Sequence, residues 1–287
     1  MKSQLRHERT FSFEFFPPKS EEGAAKLRET WTRLARLEPR FFSVTYGAGG
    51  STQARTLETV LDIHQHSGIA AAPHLSCIDS TAEQMRSILK TYMDNGLRHI
   101  VALRGDLPSG MREPGEFRYA NELVEFIRRE TGDHFTLEVA AYPECHPQAP
   151  SAFKDLENFK RKVEAGADSA ITQYFYSADA YFRFVDDCER MGIHIPIVPG
   201  IMPITNYKQL ARFSDACGAE IPRWIRKRLE AYGDDLDAIR AFGEEVVSRM
   251  CDQLLHEGSP GLHFYTMNQA GPVSAIWKNL GLTPQPE

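Results

Sequence analysis

An α/β fold of the (β/α)8 TIM-barrel type, with extra helices between strands seven and eight, is predicted by three observations. Eight short β-rich runs recur along the 287 residues: Phe11–Phe16, Phe41–Tyr46, Ala70–Ser76, His99–Leu103, Thr136–Tyr142, Ser169–Phe175, Pro196–Ile201 and Gly261–Thr266. The first seven start about 30 residues apart, the spacing of successive βα units. Between them lie segments whose apolar residues recur at three- and four-residue steps, as helices covering a sheet require.

The helical segments follow in order. Glu21–Leu37 sets Leu27, Trp31, Leu34 and Leu37 on one stripe, and Thr56–His66, Thr81–Asn95, Tyr119–Glu130, Ala152–Ala165 and Ala178–Met191 behave alike. Gly96, Gly132, Gly166 and Gly192 stand just past helix ends, where a left-handed residue is wanted. The interval from strand seven to strand eight is about twice the others, and Ile221–His256 fills it with charged amphipathic sequence. No low-complexity or Pro/Gly/Ser-rich linker divides the chain, so a single domain over 1–287 is expected.

Polar residues gather where the apolar runs end, which in parallel α/β folds is the end that carries chemistry. Run one, Phe11-Ser-Phe-Glu-Phe-Phe-Pro-Pro18, puts Glu14 among aromatics, on the side of Ser12 and Phe16. A carboxyl there is costly unless paired or protonated, so a general acid and a buried, paired glutamate are both open readings. Run two ends in Thr45-Tyr-Gly-Ala-Gly-Gly-Ser-Thr52, small enough to hold phosphate but also an ordinary tight turn; it is neither a Walker loop nor GxGxxG. Run three delivers His74, a ligand-bonding group or a satisfied core histidine. Run four, His99 to Pro108, ends in Arg104, Gly105 and Asp106. Run five adds Tyr142 and His146. Gln173 after run six suits a heterocyclic amide edge. Gln209 and Phe213 share a helix face, one polar and one able to stack, although Phe213 reads equally as a helix-to-barrel contact. His64 and His66 have i,i+2 spacing and do not share a face.

Composition sets outer bounds. Hydrophobic residues make up 42% and charged residues 25%, enough for a sizeable core in one enzyme-sized unit. A net charge of −6 disfavours nucleic acid as the main partner. Five cysteines without a CxxC pair argue against a disulfide framework and a structural zinc site. Residues 1–9 lack the apolar core of a signal peptide and no run reaches the roughly 20 apolar residues of a membrane span, so a cytoplasmic protein is expected. The rim suits a flat heteroaromatic ligand with a phosphate tail.

These motifs, taken in order, resemble the methylenetetrahydrofolate reductase family in its short, catalytic-barrel-only form. The resemblance runs from Phe13-Glu-Phe-Phe-Pro-Pro18 through Ser43-Val-Thr-Tyr-Gly47, Ala72-Pro-His-Leu75, Leu103-Arg-Gly-Asp-Leu-Pro108, Ala141-Tyr-Pro-Glu144 and Ile171-Thr-Gln173 to His263-Phe-Tyr-Thr-Met-Asn268. It implies that NADH or NADPH delivers hydride to bound FAD, and the flavin passes it in ping-pong fashion to 5,10-methylenetetrahydrofolate, giving 5-methyltetrahydrofolate. By the same resemblance Glu14 is the general acid at N10, and Asp106 lies by the flavin, contacts the pterin and modulates the redox potential. FAD contacts are implied at Tyr46, Ala48, His74, Arg104, Gly105, Asp106, Ala120, Tyr142, His146, Ala149, Asp155, Asn158, Arg161 and Lys162. Substrate contacts are implied at Thr45, Asp106, Gln173, Gln209, Phe213 and Gln269. Gln269 is a departure, since the family usually has arginine there, and Met267 replaces a leucine. A homo-oligomer is expected, with folate and nicotinamide dinucleotide as small-molecule partners and neither nucleic acid nor membrane. Larger family members add a carboxy-terminal regulatory domain, which this chain is expected to lack.

Two other readings compete. A metal-dependent lyase or hydrolase would use His74, Asp106 and His146 as ligands. A non-catalytic folate or flavin binder would have no need of an enclosed acid at Glu14.

Overall fold

The computed structural model describes residues 1–46, 50–105 and 115–282, and for 50–53 the backbone alone. Among the described residues, β1 (Thr10–Phe15) leads to α1 (Glu21–Ala35), β2 (Phe41–Val44) to α2 (Gly50–His66), β3 (Ala70–Ser76) to α3 (Ala82–Asp94), and β4 (His99–Leu103) to α4 (Ala120–Thr131). The alternation continues through β5 (Thr136–Ala141), α5 (Ala152–Glu164), β6 (Ser169–Thr172) and α6 (Ala178–Arg190). Two short strands follow, β7 (Ile197–Val198) and β8 (Gly200–Ile201), then α7 (Tyr207–Cys217), α8 (Arg223–Tyr232) and α9 (Leu236–His256) in succession, and finally β9 (Gly261–Tyr265) and α10 (Ala270–Asn279). The sheet order is β7-β6-β5-β4-β3-β2-β1-β9-β8, and the pairings β1–β2, β2–β3, β3–β4, β4–β5 and β8–β9 are parallel. The fold is therefore α/β and TIM-barrel-like, with extra helices where the sequence places them.

One predicted strand is two. The run Pro196–Ile201 is interrupted at Pro199, which has no N–H to donate to a ladder. Pro199 O accepts from His263 N at 3.0 Å, while Gly200 N donates to Thr172 Oγ1 at 2.9 Å. A Cβ at Gly200 would fall 2.1 Å from Thr172 O, so only glycine lets the chain pass this close. β7 and β8 are thus the two ends of the sheet order while only one residue apart in the chain.

The chain forms two compact units. One comprises Ser12–Ala140 and Phe159–Ala170. Its core gathers Phe13 and Phe15 against Phe42, with ring centroids 6.1 and 5.2 Å apart. From α1 it takes Leu27, Trp31 and Leu34, all buried, each side chain contributing about 1.5–3 kcal/mol of burial. α3 starts on a capping box in which Thr81 and Gln84 satisfy each other's backbone N–H groups.

The other unit comprises Met1–Phe11, Ala141–Asn158 and Ile171–Glu287. Here the amino terminus is held on α6. Glu189 Oε1 accepts from Ser3 N and Ser3 Oγ, both at 2.7 Å, and lies 3.3 Å from the terminal ammonium. Burial by itself would raise this carboxyl; the bonds from Ser3 and the ammonium outweigh it and bring it down to about 2. A depressed carboxyl adds stability that is present above its unfolded value of 4.5 and is lost as pH falls from there toward 2. Urea unfolding should therefore show wild type more stable than Glu189→Gln at pH 7, with the gap closing between pH 4.5 and 2; a gap independent of pH would refute the pairing.

Candidate active site

In the first unit, three adjacent parallel strands bring a carboxylate, a hydroxyl and an imidazole together. Glu14 of β1 is in register with Ser43 of β2, which is in register with Ala72 of β3, two residues before His74. A side chain two residues along a strand points to the same face, so all three reach one another. Glu14 Oε2 lies 3.1 Å from His74 Nε2, with side-chain exposures of 14% and 9%, too enclosed for water to substitute freely for the pairing. Ser43 Oγ donates to the same oxygen at 3.4 Å. The imidazole contact is an ion-pair approach without hydrogen-bond geometry, because Nε2 is shielded from solvent yet makes no hydrogen bond among the described residues. Phe13 and Phe15 are fully buried on the other face of β1, whereas Phe16 is exposed.

Around this cluster the strand ends leave the ladder earlier than the sequence suggests. Thr45 still donates its N–H to Phe15 O at 2.9 Å, but it and the half-buried Tyr46 lie past the end of β2. Burial raises the Tyr46 phenol above its ordinary value. At the end of β4, Arg104 O accepts from Ser76 Oγ at 2.8 Å and from Ile78 N at 2.9 Å, and Arg104 Nε donates to Gly105 O. Gly105 has φ +85°, and a Cβ there would stand 1.9 Å from Ser76 Oγ. Ala120 is the first residue of α4, Arg161 is exposed on α5, and Lys162 Nζ donates to Ala140 O and lies 5.6 Å from the Phe159 ring centre. Ala48 and Asp106 lie outside the described residues.

The second unit holds the remaining expected residues in three groups. Tyr142 and His146 meet edge to face at 4.6 Å, Ala149 N donates to His146 O, and Asp155 Oδ2 accepts from His146 N at 2.7 Å. Asn158 follows one turn after Asp155 on α5 and is half-buried. Gln173 donates its N–H to Ala141 O, and its Oε1 takes the N–H of Tyr174 at 3.0 Å. That local bond competes with the ladder and explains why β6 stops at Thr172. On α7, Gln209 N is capped by Asn206 Oδ1 and Gln209 is exposed. Phe213, one turn on, is half-buried, whereas the buried side of the helix is Leu210 and Ser214. Gln269 is the exposed N-cap of α10 and makes no capping bond.

Sequence reasoning missed Ser43, although its register with Glu14 follows from pairing the two Phe-rich runs. It also missed the turn before Gln269, where Met267 and Asn268 take positive φ of 52° and 55° in succession. Such a pair in non-glycine residues costs free energy and fixes where Gln269 emerges. No hydrophobic pattern signals it.

The family model described as "Methylenetetrahydrofolate reductase" matches residues 1–281. The chain belongs to that family. A 5,10-methylenetetrahydrofolate reductase of Escherichia coli (strain K12) is 45% identical over 273 residues, 95% of this chain and 91% of that protein. The methylenetetrahydrofolate reductase (NADH) 1 of Arabidopsis thaliana is 41% identical over 95% of this chain, which spans 48% of it. Among solved structures, a Clostridium thermocellum protein described as binding two copies of 5-methyl-5,6,7,8-tetrahydrofolic acid aligns with TM-score 0.66 at 15% identity, covering 98% of both chains. At that identity the likeness speaks for the fold, as does that to a 3-dehydroquinate dehydratase of Geobacillus kaustophilus HTA426, with TM-score 0.54 and 13% identity over 96% of this chain and 91% of that one.

The close approach at Gly105 generates a prediction. Gly105→Ala combines an unfavourable positive φ with a clash at Ser76, and should destabilise the fold by roughly 2–4 kcal/mol. Urea unfolding measures this, and a loss under about 0.5 kcal/mol would show that the β3–β4 ends can part freely.

Proposed function

We propose that this chain reduces 5,10-methylenetetrahydrofolate to 5-methyltetrahydrofolate with a nicotinamide donor and FAD, as one catalytic domain over 1–287. One observation carries the reading: an enclosed carboxylate, Glu14, on a phenylalanine-rich strand and 3.1 Å from a buried imidazole. Membership of the reductase family supplies the substrate class, and the NADH in the names of the plant relatives supports a nicotinamide donor.

Glu14, protonated, gives its proton to N10 of the folate. The bond from the bridging methylene carbon to N10 then breaks, and the carbon stays on N5 as an iminium that can accept hydride. Glu14 is left as a carboxylate beside His74, with the Ser43 hydroxyl donating to it, so the charge that develops on it has fixed partners. Phe13 and Phe15 on the other face of β1 keep water from that strand. His74, although cofactor-facing in the resemblance, is in this reading also the residue that positions the acid.

The residues present suit FAD. Among the described residues His74 Nε2 is shielded and, beyond its approach to Glu14, makes no hydrogen bond, so a further polar group would be accommodated there. In the first unit Tyr46, Arg104, Gly105, Ala120, Arg161 and Lys162 would hold the cofactor, together with Ala48 and Asp106; the cations suit its diphosphate. In the second unit Tyr142, His146, Ala149, Asp155 and Asn158 would do so, the edge-to-face ring pair offering an aromatic wall. When bound, FAD would supply the hydride relay between nicotinamide and folate in a ping-pong cycle. Thr45, Asp106, Gln173, Gln209, Phe213 and Gln269 would contact the substrates, Phe213 by stacking and Gln173 and Gln209 through their amides. A homo-oligomer in the cytoplasm, using NADH or NADPH, completes the reading.

Stopped-flow measurement of the two half-reactions tests it. Glu14→Gln should oxidise the nicotinamide at a rate within about threefold of wild type and lose at least about 100-fold in folate-dependent flavin reoxidation, the size of a lost general acid. Equal losses in both halves would sink the role of Glu14.

A further inference from the structure

In the second unit, the chain neighbours of two expected substrate contacts meet each other. Gln173 is followed by Tyr174 and Phe213 by Ser214, and Tyr174 Oη lies 3.1 Å from Ser214 Oγ. Both residues are buried, at 3% and 5% exposure, so water does not compete for the bond. Neither polar group belongs there on hydrophobic grounds. Ser214 shares the buried side of α7 with Leu210, and a phenol in a core needs a partner that phenylalanine would not.

This bond differs from those of the adjacent tyrosines. Tyr176 donates to Met202 O at 3.1 Å and Tyr265 to Thr172 O at 2.7 Å, so each is anchored to backbone. Tyr174 instead joins the end of β6 to a helix through two side chains. Its ring is flanked by those of Tyr176 and Tyr265, with centroids 5.9 and 6.3 Å away. Burial raises its phenol, which therefore stays protonated. Cys217 Sγ donates to it from 3.4 Å, leaving the phenol proton for Ser214.

The connection extends on both sides. Gln173 Oε1 accepts from Tyr174 N at 3.0 Å, which folds the amide onto the backbone of the residue carrying the phenol. On α7, Phe213 stands about 100° round the helix from Ser214 and is half-buried. A slide or turn of α7 at the Ser214 contact would therefore carry the Phe213 ring with it. We infer that Tyr174 and Ser214 are positioning residues for the folate, their bond fixing the distance between the Gln173 amide and the Phe213 ring. Neither touches the substrate. This rests on the folate reading above, in which Gln173 and Phe213 do.

Tyr174→Phe removes the phenol oxygen and keeps the ring, and Ser214→Ala removes the other half of the bond. Each should raise KM for 5,10-methylenetetrahydrofolate about fivefold, the binding equivalent of one buried hydrogen bond, with kcat within about twofold. In stopped flow, flavin reduction at saturating nicotinamide should also stay within about twofold of wild type. The double variant should show the same KM increase as either single one, because both substitutions break one bond. An unchanged folate KM, whether or not stability in urea falls, overturns the positioning role and leaves the reductase reading intact. So do equal losses in both half-reactions, or KM increases that multiply in the double variant. Failure of wild type to reduce 5,10-methylenetetrahydrofolate would bring down the parent reading and this inference with it.

Discussion

The site depends on keeping a carboxylate in a strand made otherwise of phenylalanines. Glu14 cannot be stranded there without partners, because an ionised group withdrawn from water costs far more than a single apolar contact returns. The parallel register of β1, β2 and β3 supplies them, setting Ser43 and His74 on the same face as the carboxylate. A slip of one residue in either pairing would turn one partner to the opposite face. The Phe13, Phe15 and Phe42 packing that pins this register is thus a condition of the proposed chemistry as well as of the core.

Glycine acts in a comparable way at three places where backbone meets backbone or side chain. Gly105 lets the end of β4 press on Ser76, Gly200 lets β8 pass Thr172, and Gly243 lets α9 rest on Ile204. Each approach fixes an element in place: Arg104 at a strand end, the transfer of pairing between β7 and β8, and α9 against the Ile204 backbone. Side chains decide the chemistry, but absent side chains decide how close the elements carrying it can come.

Much of this was legible in the sequence, for identifiable reasons. Each apolar run and each amphipathic segment is a local pattern, so β3 and β4 appear at their expected limits and α1 buries Leu27, Trp31 and Leu34 as their spacing requires. The candidate acid is legible too, because a glutamate between aromatics is anomalous on its own strand. The ends of β2 and β6 were less so, since Thr45 and Tyr46 lie past the end of β2 and the Gln173 side chain takes the N–H of Tyr174, neither of which hydrophobic periodicity encodes.

By itself the sequence determined the alternation of strands and helices, the placing of polar residues at strand ends and, through ordered motifs, the family. Those are properties of neighbours along the chain. Only the tertiary structure decided that Glu14 meets His74 and Ser43, that Pro199 splits a strand in two, and that Met267 and Asn268 take left-handed backbone. Each of these joins residues distant in sequence or opposes a local preference, and register, close packing and missing N–H groups settle them through space.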